Sequence, residues 1–135
     1  MKILIAEDDF MVRRILKEIL SPYGDCDIVI DGNEAVQAFR MAWEDNKPYD
    51  LICLDIMMPV MDGQEALKII RKEETEMAVH PSEEVKVIMI TALDDQKSIF
   101  EAYYKGGATS YIVKPVDKEK LLEEIQKLGL IDEQV

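Results

Sequence analysis

Apolar residues along the chain fall into two spacings that take turns. Short continuous runs occur at Lys2–Ala6, Cys26–Ile30, Leu51–Leu54, Val85–Ile90 and Ser110–Val113. Runs this short and this apolar predict strands covered on both faces, as in a parallel sheet. Between them the apolar positions recur at helical spacing. Val12, Ile15, Leu16, Ile19 and Leu20 predict a helix over about Phe10 to Leu20. Val36, Phe39 and Trp43 mark a second helix, and Ala66, Leu67 and Ile70 a third. Ile99, Ala102 and Tyr103 mark a fourth, and Leu121, Leu122, Ile125 and Leu128 a fifth. The polar punctuation agrees. Pro22-Tyr23-Gly24 stops the first helix, Asp31-Gly32-Asn33 is a turn signal, and Gly106-Gly107 and Gly129 close the last two helices. Asp62 with Glu65 has capping-box spacing, and Asp117 can cap helix five. Asp27 inside the second run predicts a sheet edge. Thr75 to Glu84 is polar and contains Pro81, which predicts a loop or a frayed helical extension; His80, in that segment, reads as inert.

Strands that alternate with helices through short connections imply a parallel sheet with helices on both faces, and leave the strand order open. A chain of 135 residues is read as one domain, with a core of about 2–128 and a short tail, 129–135. The net charge of −12 argues against nucleic acid or an anionic membrane as partner, since both would be repelled. No apolar run approaches a membrane span, and the stretch before Glu7 is too short for a signal peptide. Cys26 and Cys53 lie in apolar runs without a CxxC or metal spacing. They are expected to be reduced core thiols of a cytoplasmic protein.

Four of the five runs end in a polar residue able to do chemistry: Glu7 and Asp8, Asp55, Thr91, and Lys114. In a parallel sheet those ends share one edge, so distant residues converge on one crevice. Carboxylates brought together raise each other's proton affinity unless a cation joins them. An oxygen-only set favours a hard cation; Mg²⁺ takes one or two carboxylates and keeps waters that a phosphate oxygen can displace. A lysine and a hydroxyl alongside suit the other phosphoryl oxygens. A central aspartate can then act as nucleophile and form an acyl phosphate. Taken singly, each residue has an ordinary explanation. Glu7-Asp8-Asp9 is a solvated helix start, Asp55 and Thr91 are caps, Lys114 is a surface lysine, and Met57, Met58 and Met61 pack. Their joint placement at separate strand ends is what sets them apart.

So assembled, the chain closely resembles the CheY-like receiver domain of bacterial two-component response regulators, from Lys2 to about Leu128. The motifs ILIAEDD, LICLDIMMPVMDG, VIMITA and GATSYIVKP occur in that order. The resemblance implies a flavodoxin-like, doubly wound (βα)5 fold of the α/β class, with a five-stranded parallel sheet in the order 2-1-3-4-5. It implies Asp55 as the phosphoacceptor. Glu7, Asp8, Asp55 and the backbone carbonyl of Met57 would hold Mg²⁺, with Mn²⁺ as a substitute, and Asp9 would cap helix one. Thr91 would be the switch hydroxyl, Tyr111 the switch aromatic, and Lys114 the partner of the phosphoryl group. The Lys114-Pro115 bond is expected to be cis. The implied partners are a sensor histidine kinase or histidine phosphotransfer protein as donor, and a downstream protein that reads helix four, strand five and helix five. The protein would work as a monomer or a phosphorylation-dependent dimer. It would be a signalling switch that catalyses its own phosphorylation and dephosphorylation, with no separate substrate. Met57 and Leu93 are apolar where the family tunes hydrolysis, so a long-lived phosphoryl state is expected. In one departure, the segment after helix three is several residues longer than usual. No effector domain follows helix five, which suggests a stand-alone receiver.

Other classes remain open at this point. A pseudo-receiver would keep the fold as a pure interaction module, against which the full residue set argues. A phosphohydrolase of the haloacid-dehalogenase type would carry a second acid two residues after its nucleophile, where this chain has Met57. A flavodoxin-like flavin carrier would need a Ser/Thr/Gly-rich loop where Glu7-Asp8-Asp9 stands.

Overall fold

A computed structural model describes residues 1–132. Five strands, β1 (Lys2–Ala6), β2 (Asp25–Val29), β3 (Leu51–Leu54), β4 (Lys86–Thr91) and β5 (Ser110–Val113), pair in parallel in the order β2-β1-β3-β4-β5. The helices are α1 (Phe10–Leu20), α2 (Gly32–Glu44), α3 (Gly63–Glu76), α4 (Gln96–Phe100) and α5 (Lys118–Lys127). This is the flavodoxin-like architecture.

The all-apolar strands explain themselves by alternation. Leu51 and Cys53 face one core with Ile3, Ile5, Ile88 and Ile90, and α1 and α5 close it through Leu16, Leu20, Leu121 and Ile125. Ile52 and Leu54 face the other core with Leu4, Val87 and Met89, under Phe39 of α2 and Leu67 and Ile70 of α3. Each side chain of β3 is therefore buried, whichever face it takes. Asp27 lies on the edge strand β2, where it accepts a hydrogen bond from Tyr49 Oη at 2.7 Å. No helix among the described residues is long and apolar enough to cross a membrane.

The structure shifts several expected boundaries. β2 starts at Asp25, whose N–H donates to Met1 O, and ends at Val29, before Ile30. Asp31 is the N-cap of α2, so Gly32 and Asn33 are its first turn and not a separate turn. Thr75 to Glu84 is only partly loop. α3 runs on to Glu76, and Pro81–Glu83 forms a 3-10 turn capped by His80, whose ring nitrogen accepts from Ser82 N. The hidden cause is Glu74, fully buried. Its Oε2 accepts from Val85 N at 2.8 Å and its Oε1 from Arg71 at 2.5 Å, tying the end of α3 to the entry of β4. β4 begins one residue later than expected and includes Thr91. The fourth helix is α-helical only over Gln96–Phe100; Glu101–Lys105 continues it as a π-helical segment. Cys53 is a core thiol, pushed up to about 12 by burial, whereas Cys26 is only half-buried on the edge strand. Past Leu128, Leu130 and Ile131 pack on the α1/α5 core; 133–135 lie outside the described residues.

Candidate phosphoryl and metal site

The carboxyl ends of β1, β3, β4 and β5 meet at one crevice. Strand pairing sets the heights: Ala6 of β1 pairs with Leu54 of β3, and Thr91 of β4 with Val113 of β5, so the residues after each pair stand level. Asp55 N donates to Ala6 O at 3.1 Å and Lys114 N to Thr91 O at 2.8 Å, which continues the ladder into the site. Behind Asp55 the backbone doubles back into α3. A Cβ on Gly63 would lie 2.0 Å from the carbonyl oxygen of Asp55, so only glycine lets α3 start there. Asp62 caps that helix by accepting from Glu65 N.

Glu7, Asp8 and Asp55 present carboxylate oxygens within 4.8 Å of one another. Glu7 and Asp55 are buried and Asp8 is exposed. Lys114 Nζ lies 2.5 Å from Glu7 Oε1 and 2.9 Å from Asp55 Oδ2, so one ammonium serves two buried acids. Burial pushes the Glu7 carboxyl up to about 7, more than Lys114 brings it down, and the neighbouring Asp55 adds to the rise. Burial also works to lower Lys114, but the two carboxylates outweigh it and hold the ammonium above its ordinary value. The cluster thus carries more negative charge than one lysine neutralises, in an oxygen-only setting that fits a hard divalent cation. The Met57 N–H donates to Asp55 Oδ1 at 3.3 Å, and the Lys114–Pro115 peptide is cis.

Asp9 caps α1 by accepting from Met11 and Val12 N–H groups. Arg13, one turn into α1, donates to the carbonyls of Asp8 and Glu7 at 3.1 and 3.4 Å and braces the acidic loop. Its spacing from Asp8 was the only sign of that role. Thr91 is fully buried, with Oγ1 accepting from Leu93 N at 3.4 Å. Tyr111, half-buried, donates from Oη to Leu93 O at 2.7 Å, so both side chains grip the same loop residue after β4. Burial first, then the Asp95 and Asp55 charges, push the Tyr111 hydroxyl up to about 12, so it stays a donor at neutral pH. The loop after β3 is strained: Val60 has φ 68°, and Met61 N donates to Pro59 O at 2.8 Å across it. That β-branched residues avoid this conformation made the strain invisible to sequence reading.

Residues 3–126 match the response regulator receiver domain family. The chemotaxis protein CheY of Listeria monocytogenes is 36% identical over 127 residues, covering 94% of this chain and 97% of that one. CheY of Bacillus subtilis is 32% identical, covering 93% and 95%. Among solved structures, the CheX-CheY-BeF3-Mg complex from Borrelia burgdorferi superposes with a TM-score of 0.80 at 28% identity, over 95% of this chain and 88% of the other. Sheet order, the acidic crevice and these likenesses lead to one conclusion: the chain belongs to the response regulator receiver domain family, the CheY-like receivers of two-component signalling.

Proposed function

We propose that Asp55 is the phosphoacceptor of this receiver. The observation that carries the reading is the pair of buried acids Glu7 and Asp55 bridged by half-buried Lys114, with Asp8 at the rim. One carboxylate oxygen of Asp55 attacks the phosphorus of a phosphohistidine on a sensor histidine kinase or phosphotransfer protein. The new O–P bond forms as the N–P bond breaks, and the imidazole leaves and takes up a proton. Lys114, already on Asp55 Oδ2, moves to a phosphoryl oxygen and keeps its charge partnered. Glu7, Asp8, Asp55 and the Met57 carbonyl would hold Mg²⁺, or Mn²⁺ in its place, whose chemistry there is to neutralise the negative charge gathered around the phosphoryl group. Hydrolysis reverses the state: water attacks phosphorus, phosphate departs and the carboxylate returns. Met57 is exposed and Leu93 half-buried at the rim, and neither can orient that water, so the phosphoryl group is long-lived. Met57→Gln should shorten its lifetime; an unchanged lifetime contradicts this part.

Thr91 and Tyr111 act as the switch, because both hold Leu93 and thereby the start of α4. The output face of α4, β5 and α5 suits a cytoplasmic protein partner or a second copy; Tyr103, partly exposed in the π segment, lies 6.4 Å between ring centroids from Tyr111 of β5 on that side. The test is incubation with a small phosphodonor, with and without Mg²⁺, followed by intact-mass measurement. One adduct is expected on wild type with Mg²⁺, and none on Asp55→Asn. An equal adduct on Asp55→Asn refutes the assignment. A folded protein that neither binds Mg²⁺ nor takes the adduct is a pure interaction module.

A further inference from the structure

α2 and α3 pack side by side over one face of the sheet. Helices that connect parallel strands run back against them, so both end at the edge opposite the Asp55 crevice. Each ends in acid. The last turn of α2 closes on Glu44, with Asp45 as C-cap, and that of α3 carries Glu73 and Glu76. Neither turn holds a basic residue, whereas α1 ends with Lys17 and α5 with Lys127. The carbonyl end of a helix is already negative and favours a cation. Two helices that finish together in carboxylates therefore leave an attraction for positive charge unmet. Glu73 shows this at atomic scale. One of its oxygens takes Arg40, and the other, Oε2, is buried with no hydrogen-bond partner among the described residues. Lys72 meets Glu76 only loosely, at 3.9 Å and in solvent.

Between these helix ends lies a groove of about 280 Å³, with Phe39, Trp43 and Met77 as its apolar lining and Glu44, Glu73 and Glu76 as its acids. Phe39 is sealed in the core, but Trp43 is half-buried and Met77 is 44% exposed, so apolar surface opens to solvent inside an acidic rim. Trp43 also walls a second cavity, of about 290 Å³, which Asp50, Glu83, Glu84 and Lys86 help to line. We propose that this groove is a docking site for a basic segment of another protein. An apolar side chain enters beside Trp43, and flanking lysines or arginines meet Glu44, Glu73 and Glu76. The site is separate from the phosphoryl chemistry and stands whether or not Asp55 is the acceptor. Its size suits a protein. Small-molecule pockets run from about 300 to 1,000 Å³, and each cavity here admits little more than one side chain. Two of them on either side of one tryptophan fit successive side chains of a segment. Charge sets the sign of the partner, because six acids line the two cavities against Arg40 and Lys86. A lysine or arginine can also lie over the indole face. A second copy is disfavoured, since it would bring another net charge of −12 against the same acids.

The test uses the full chain and a short amidated peptide in which leucines alternate with pairs of lysines or arginines. Trp43 is the only tryptophan in the chain, so its fluorescence reports occupancy of the groove. Titration at low salt should shift its emission saturably. Glu44→Gln combined with Glu76→Gln should weaken binding roughly three- to tenfold. Both side chains are exposed, so the fold should survive the change. Glu18→Gln combined with Glu123→Gln removes the same charge from α1 and α5 and should alter binding by less than about twofold. Spermidine, a cation with no apolar side chain, should bind more weakly than the peptide. Equal losses in the two double variants mean attraction to net charge alone and overturn the site. So does binding that leaves Trp43 emission unchanged, no binding to wild type, or spermidine binding as tightly as the peptide. Emission that depends on protein concentration without peptide would place a second copy in the groove and overturn the basic partner.

Discussion

Lys114 stands as the cation that the acidic crevice needs, and a divalent ion would take over part of that duty. Replacing it with methionine leaves Glu7 and Asp55 buried without a counter-charge. We expect Lys114→Met to lose about 3 kcal/mol in denaturant unfolding without metal. Mg²⁺ should then raise its melting temperature more than that of wild type, since ligand binding to the folded state adds stability by mass action. An equal rise in both proteins would mean that the lysine does not share the carboxylates' charge. Val60 makes the opposite case: its φ of 68° is a conformation that asparagine tolerates and a β-branched residue resists. Its side chain is 84% exposed, so little packing is lost with it. Val60→Asn should stabilise the protein by about 1 kcal/mol, read from the denaturation midpoint at constant slope. At this scale, the convergence of Glu7, Asp8, Asp55, Thr91 and Lys114 on one crevice was legible, because they stand at the ends of four parallel strands. The burial of Glu74 was not, since it stands in a polar-looking stretch whose cover comes from a distant segment.

Among the elements, the parallel strands were the most legible, because burial on both faces leaves an uninterrupted apolar run. The segment after α3 was the least. Nothing in Arg71-Lys72-Glu73-Glu74-Thr75-Glu76 singles out one acid, yet Glu74 alone is fully buried and ties α3 to the Val85 N–H. Its burial raises its proton affinity more than Arg71 and that N–H lower it. An acid whose folded pKa is raised lends its full stability below the unfolded value and loses it as pH climbs through the folded value. Wild type should therefore lead Glu74→Gln by most below pH 4.5, and the lead should shrink as pH rises toward neutral. A lead that grows with pH would reverse the sign argued here. Glu74→Ala, which strands the Val85 N–H without an acceptor, should cost about 2–3 kcal/mol. The fourth helix was expected as one α-helix from Ile99, Ala102 and Tyr103. A three-residue apolar signal cannot separate α from π, and only Ala102 proved buried.

For the molecule as a whole, periodicity shows that helices cover both faces of a parallel sheet, but not which strands are neighbours. The strand order came from motif likeness, and the β2-β1-β3-β4-β5 sheet agrees with it. The order matters for function because it sets β1 and β3 side by side, and with them Glu7 and Asp55. A net charge of −12 makes the crevice one more concentration of acid on an acidic molecule, which divalent cations relieve. Mg²⁺ should therefore stabilise wild type in thermal unfolding and stabilise Asp8→Asn less. The most direct test of the central claim locates the phosphoryl group itself. The protein is treated with a small phosphodonor and Mg²⁺, reduced with borohydride, which converts an aspartyl phosphate to homoserine, and sequenced by mass spectrometry. We predict homoserine at position 55, dependent on both donor and Mg²⁺. Homoserine at Asp8 or Asp9 instead, or at none of them in a protein that carries the adduct, would contradict the account.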